Sequence, residues 1–267
     1  MSAGKTLRVR SPAVAGIFYP GGATALAANV DGMLTQAASQ PIGRLRALIC
    51  PHAGYRYSGP MAAEAFAQLR GESFDQVLLM GPSHRVAFHG VALPEVDAFE
   101  TPLGQMPLAG KLDTLARSKP FMRANAPHEE EHALEVELPF LQRTLGNVLL
   151  SPLVFGEVDE QAVAQELSKW VTPMTLIIAS SDLSHFHSYD DAVPLDRSTI
   201  DAILRLDVEA VREAEACGRS PVATLLHLAA WNHWEANLLG YQNSGDTAGD
   251  KDRVVGYAAI GFYDKAA

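Results

Sequence analysis

The sequence has little cysteine and no long apolar run. Only two of its 267 residues are cysteine, Cys50 and Cys217. Two cysteines are too few for a disulfide framework, which favours a reducing compartment. No apolar run is long enough to cross a bilayer, and the short apolar stretch at 13–19, flanked by prolines, is a weak signal-peptide pattern. We therefore expect a cytoplasmic protein.

Positive charge is also scarce. Lysine and arginine number 21 against 31 aspartates and glutamates, so the net charge is −10. A chain of this charge lacks the cations that neutralise phosphates, and we expect neither nucleic acid nor a membrane surface as a partner. The hydrophobic fraction of 48% is ordinary for a packed globular protein.

Apolar strand-like runs alternate with helical patterns along the whole chain. Strands are predicted at 46–50, 77–80, 91–97, 148–154, 174–179, 237–242 and 254–263. Helices are predicted at 22–38, 58–69, 107–117, 131–145, 159–170, 191–206, 208–216 and 221–234. The alternation predicts an α/β sandwich, with a mixed but largely parallel sheet between two helical layers. Since no linker interrupts it, we expect a single domain over 1–267.

Three apolar runs end in the same way, each followed by a histidine. They read ALIC-PH to His52, VLLM-GPSH to His84 and TLIIA-SSDLSH to His185. Loops at the carboxyl ends of parallel strands converge on one crevice, where ligands bind in open α/β sheets. The sequence therefore predicts a metal or acid–base site at this edge.

Asp182 stands three residues before His185, where it could fix the tautomer of that ring; alternatively it caps a turn and His185 is exposed. A serine hydrolase is disfavoured because the chain has no G-x-S-x-G elbow. Cys217 lies in the connector ACGRSP, where Arg219 and a helix start could lower its thiol pKa, or where it could be a small buried hydrophobe. Cys50 is expected in the core.

His132 and Glu135 form an H-x-x-E pair at i, i+3 in a predicted helix opened by the acidic run 129–131. Such a pair can ligate a metal ion or can be an ordinary surface pair, and the pattern favours the surface interpretation. Glu131 and His132 could still reach the crevice.

The motifs PHAGYRYSG, GPSHR, EEEHALEVELPF, SSDLSH and CGRSP, after an N-terminal AGIFYP, occur in the order and spacing of one family. The chain resembles the Memo family, named in bacteria as component B of the AmmeMemoRadiSam system. This resemblance implies the fold of class III extradiol dioxygenases. It also implies that His52 and His84 are metal ligands, that Cys217 replaces the dioxygenase carboxylate, and that His185 is the acid–base histidine, with Asp182 close by.

The resulting hypothesis is a mononuclear redox protein that holds one transition-metal ion, iron before copper or zinc, and acts on a small molecule or peptide. Two alternatives stay open. One is an adaptor that uses the crevice to bind a peptide or a partner, with radical-SAM and AMMECR-type proteins as the partners that the resemblance implies. The other is a zinc hydrolase with Glu131 or His185 as its base.

Overall fold

The computed structural model describes residues 7–39 and 42–265. The strands are β1 Val9–Arg10, β2 Leu45–Cys50, β3 Gln76–Pro82, β4 Val91–Leu93, β5 Ala98–Thr101, β6 Gly104–Pro107, β7 Phe121–Arg123, β8 Leu149–Phe155, β9 Thr175–Ser180, β10 His185–His187, β11 Trp234–Asn243 and β12 Val254–Asp264. The α-helices are α1 Ala23–Gln36, α2 Tyr55–Phe66, α3 Leu112–Leu115, α4 Ala126–Glu129, α5 Leu138–Thr144, α6 Glu160–Ser168, α7 Tyr189–Leu204, α8 Val208–Glu213, α9 Arg219–Asn232 and α10 Ser244–Ala248. Within the described residues, no helix combines the length and the apolar character needed to traverse a bilayer.

The main sheet has the strand order β10-β12-β2-β9-β3-β8-β4-β7, and β11 also pairs with β12. Strands β2, β9, β3 and β8 run parallel to one another, whereas β12 is antiparallel to β2 and β4 is antiparallel to β8. A second sheet contains β1, β5 and β6. The sheet is therefore mixed, as predicted, and its four central strands are parallel. The three strands that precede the histidine loops, β2, β9 and β3, are adjacent at its centre.

Both faces of the sheet are covered. In β2, Leu48 and Cys50 pack in a core cluster with residues of α1, α2 and α5, and Ala47 and Ile49 pack in a second cluster with residues of α6 to α9. Strands buried on both faces read as continuous apolar runs rather than as alternating patterns. The predicted α/β class with helices on both faces is confirmed, and so is the core position of Cys50.

Three predicted elements were wrong. Predicted strand 91–97 is a strand only at Val91–Leu93, and β5 begins after it, at Ala98. Predicted helix 107–117 is helical only at Leu112–Leu115, and its first residue, Pro107, is the last residue of β6. Predicted helix 131–145 becomes α-helical only at Leu138, after an irregular segment and the 3₁₀ turn Glu135–Glu137. The acidic run does not open this helix, because the Glu131 carboxylate accepts hydrogen bonds within the histidine loops instead. Long-range partners thus override the helical pattern.

Candidate metal centre

His52 follows β2 at the sheet edge and is 2% exposed. Its backbone N–H donates to Asp182 Oδ1 over 2.8 Å. Its ring nitrogen Nδ1 lies 2.8 Å from Ser180 Oγ, and Nε2 lies 3.3 Å from Cys217 Sγ. Burial, with help from nearby His84, lowers the pKa of His52 to about 3. The ring is therefore neutral, as a metal-binding imidazole must be.

His84 follows β3 and is held by a buried carboxylate. Glu131 accepts from the backbone N–H of His84 over 2.6 Å, and its Oε1 lies 2.8 Å from His84 Nδ1. Burial tends to raise the pKa of Glu131, but the hydrogen bonds and charge of His84 lower it to about 2. An ionised carboxylate on Nδ1 orients the ring, so that Nε2 is the nitrogen offered to a metal ion.

His132 completes a cluster of three imidazoles. Its ring centroid lies 4.6 Å from that of His84 and 5.5 Å from that of His52, and the His52 and His84 centroids lie 5.1 Å apart. One donor nitrogen from each ring can be chosen so that all three lie within 4.8 Å of one another. His132 Nδ1 is buried and forms no hydrogen bond with a described residue, and Glu131 Oε1 lies 3.5 Å from it. A buried nitrogen without a hydrogen bond fits a metal ligand.

Cys217 adjoins this cluster through His52. The backbone N–H of Asp182 donates to Cys217 Sγ over 3.2 Å, and the backbone N–H of Cys217 donates to the Asp182 carbonyl over 3.3 Å. Two donors on one tetrahedral ion, a nitrogen at ~2.0 Å and a sulfur at ~2.3 Å, lie about 3.5 Å apart. The spacing between His52 Nε2 and Cys217 Sγ suits a shared ion.

Of the two alternatives for Cys217, the surroundings of the thiol in the metal-free protein favour the buried one. Burial raises the pKa of the thiol, and the neighbouring Asp182 raises it further. Arg219 does not counter them, since its guanidinium donates to the Arg212 carbonyl. A metal ion at Cys217 would therefore release a proton as it binds.

The two predicted catalytic residues line one cavity of about 600 Å³ together with His132. His185 begins β10, and Asp182 lies in the loop before it. Burial raises the pKa of Asp182 above its usual range, although the N–H of His52 and the nearby His185 lower it. His187 lies apart, with Nε2 2.5 Å from the Glu215 carboxylate. The catalytic roles of His185 and Asp182 stay predictions.

The surface interpretation of His132 and Glu135 was wrong. Glu135 is fully buried, forms an ion pair with Arg10 and accepts hydrogen bonds from the backbone N–H groups of Ala13 and Val14 and from the Tyr19 hydroxyl. The pair is therefore split between the core and the crevice. The sequence did indicate that Glu131 and His132 could reach the crevice. Nothing in the local sequence shows that the partners of Glu135 lie more than a hundred residues away.

Fold and site together define a class: an α/β sandwich with a candidate metal centre of histidines at the carboxyl edge of its parallel strands. The family model for Memo-like proteins matches residues 10–261. A MEMO1 family protein of Methanosarcina acetivorans is 36% identical over 95% of this chain and 99% of its own length. Similar proteins of Sulfurisphaera tokodaii and Thermoplasma volcanium are each 32% identical, over 96% and 94% of this chain and 100% and 97% of theirs.

The chain therefore belongs to the Memo-like protein family. Its fold is of the class III extradiol dioxygenase type that the sequence resemblance implied.

Proposed function

We propose that this Memo-like protein holds one transition-metal ion and carries out redox chemistry on a small molecule. The observation that supports the proposal is the convergence of three imidazoles, one of which has a buried nitrogen without a hydrogen-bond partner among the described residues. His52, His84 and His132 would hold the ion, and the thiol of Cys217 would join them as a thiolate. Imidazole suits iron, copper and zinc alike, and thiolate adds a preference for softer ions.

Iron is the ion we propose first, with copper and zinc as the alternatives. When bound, iron would supply one-electron chemistry that no amino-acid side chain provides. The residues of the chain would do the rest. Glu131 would orient His84, and a ring nitrogen of His185 would exchange protons with a molecule in the 600 Å³ cavity. Asp182, which lines the same cavity, would fix the loop through its bond to the N–H of His52.

The same cavity favours a small anion as the ligand. Arg56 and Arg253 line it, and neither guanidinium forms a hydrogen bond or an ion pair with another described residue. Arg253 lies 4.9 Å from the ring centroid of Phe186, which is 61% exposed and has a left-handed backbone with φ of 64°. Strained backbone of this kind clusters at functional sites. A planar carboxylate would meet an aromatic face and an arginine fork together.

A zinc hydrolase would lack one of its two expected bases. Both oxygens of Glu131 already accept hydrogen bonds, from the His84 backbone and ring and from Ala133. His185 would have to serve alone. The adaptor hypothesis, with radical-SAM and AMMECR-type partners, is separable by experiment: partner capture that survives loss of the metal-binding side chains would favour it.

Metal analysis tests the proposal directly. The protein is purified anaerobically without a histidine tag, as the parent, as His52→Ala and as His89→Ala, whose side chain is 84% exposed and serves as the control. We expect close to one iron per chain in the parent and in His89→Ala, and loss of most of it in His52→Ala. Equal metal content in all three would refute the metal site.

The ligand proposal has its own test. Benzoate and benzamide are each titrated into the parent and into Arg253→Gln, and calorimetry measures the binding affinity. We expect benzoate to bind at least ~10-fold more tightly than its neutral amide, a difference of about 1.4 kcal/mol, and the preference to vanish in the variant. No preference in the parent would refute an anionic ligand.

A further inference from the structure

The Ser180 hydroxyl has more partners than its one proton can serve. Ser180 is the last residue of β9 and is fully buried. Its Oγ lies 2.7 Å from the carbonyl oxygen of Ala133, 2.8 Å from Nδ1 of His52 and 3.1 Å from Oε1 of Glu137. A serine hydroxyl donates one hydrogen bond and accepts two. Because a carbonyl oxygen only accepts, satisfying Ala133 requires the serine proton, and the other two partners must donate.

Glu137 can donate only as a carboxylic acid. Its side chain is 0% exposed, no described lysine or arginine pairs with it, and its Oε2 has no hydrogen-bond partner among the described residues. Arg10, which contacts this segment, forms its ion pair with Glu135. Burial also raises the pKa of Glu137 well above its usual value. A buried carboxyl without a cation is more stable in its neutral form.

His52 completes the pattern. If Nδ1 donates to Ser180, the neutral ring carries its lone pair on Nε2, the nitrogen that faces Cys217 Sγ. Without the proton from Glu137, the serine could turn its own proton towards Nδ1, and Nε2 would then carry the hydrogen. That tautomer cannot bind a metal ion through Nε2.

We propose that Glu137 is a positioning residue that acts as a protonated acid: it donates to Ser180, fixes the serine proton on the Ala133 carbonyl and so keeps Nε2 of His52 open. The tautomer part of this proposal concerns the metal-free protein. Its consequence for metal affinity rests on the proposed function. The two carboxyl groups thus have different roles. The ionised carboxylate of Glu131 orients His84, whereas the neutral carboxylic acid of Glu137 orients His52 through Ser180.

The test compares Glu137→Gln with Glu137→Leu. Glutamine keeps a neutral donor for Ser180, and leucine removes it. Histidine tautomers are measured by ¹H–¹⁵N NMR of the metal-free protein, with His52→Asn used to assign the resonance. We expect the parent and Glu137→Gln to carry the proton on Nδ1, and Glu137→Leu to populate the Nε2–H form. Metal affinity should fall about 10-fold or more in Glu137→Leu and return to near the parent value in Glu137→Gln.

Two results would overturn the proposal. An unchanged tautomer in Glu137→Leu would show that Ser180 orients His52 unaided, and a glutamine variant as impaired as the leucine variant would show that the carboxylate charge is what matters. If Glu137→Leu does not fold, the infrared difference spectrum between the parent and Glu137→Gln takes its place. We expect the band of a protonated carboxyl group to be present in the parent and absent from the glutamine variant. Loss of an ionised carboxylate band instead would contradict the proposal. Because the NMR measurement needs no metal ion, the proposed tautomer of His52 can be tested even if the proposed function is wrong.

Discussion

Replacing Arg10 with methionine should destabilise the protein and loosen the loop that carries His132. Arg10 is 7% exposed, and its guanidinium pairs with Glu135 and donates to the carbonyl oxygens of His128 and Glu131 over 2.9 and 2.7 Å. Arg10→Met would leave the buried carboxylate without its cation and would remove the donor from these two carbonyls, together with a longer hydrogen bond of 3.4 Å to the carbonyl of Glu129. Removing one partner of a buried ion pair costs about 3–5 kcal/mol.

The hydrogen bonds that remain place the expected loss near the lower end of that range. The Glu135 carboxylate would still accept from Ala13 N at 2.7 Å, Val14 N at 3.0 Å and the Tyr19 hydroxyl at 2.6 Å. We therefore expect the free energy of unfolding to fall by ~3 kcal/mol. Because the carbonyl of Glu131 loses its donor, metal affinity should fall as well.

Urea unfolding measures this loss. Lys169→Ala is the control, because it removes an exposed ion pair with Glu166 and should leave the unfolding midpoint unchanged. The double variant Arg10→Met, Glu135→Gln should recover part of the stability, since the amide is neutral. If Arg10→Met unfolds at the same urea concentration as the parent, or if the double variant is less stable than both single variants, the Arg10–Glu135 ion pair does not contribute this stability.

Two further changes have defined outcomes. Burial lowers the pKa of His128 to about 4 from a usual value near 6.5, so the unfolded chain takes up this proton first and stability is lost as the pH falls from 6.5 towards 4. His128→Gln should reduce that slope by up to ~1.4 kcal/mol per pH unit in urea titrations, and parallel curves for the two proteins would contradict the assignment. Gly218→Ala would put a Cβ 2.5 Å from the carbonyl of Ser180 and displace Cys217, whereas Gly110→Ala meets nothing within 4 Å. We expect the free energy of unfolding to fall by ~1–3 kcal/mol, and the metal content to fall, in Gly218→Ala only. Urea unfolding and metal analysis measure the two effects, and equal results for Gly218→Ala and Gly110→Ala would contradict this expectation.

The central strands of the sheet and two of the three clustered histidines could be predicted from the local sequence. β2, β3 and β9 are buried on both faces, so each reads as an unbroken apolar run, and the residues after them had to meet at one edge. His52 and His84 were identified in this way, and their ring centroids lie 5.1 Å apart.

The segment 131–137 could not be predicted in the same way. Its glutamates read as the solvated side of a helix, yet Glu131, Glu135 and Glu137 are all buried. Each has its partner far along the chain: Glu131 bonds to His84, Glu135 to Arg10 and Glu137 to Ser180. Charge pattern alone does not distinguish a solvated carboxylate from one that a distant donor satisfies. His132 was misjudged for that reason.

The most direct test is the location of the ion. Crystals of the iron-loaded protein, measured at the iron absorption edge, give an anomalous difference map in which only the metal contributes strongly. We expect a single peak within bonding distance of ring nitrogens of His52, His84 and His132, with Cys217 Sγ as a further donor. A peak elsewhere in the molecule, or no peak while the rings of His52 and His84 keep their present hydrogen bonds, would contradict this metal site.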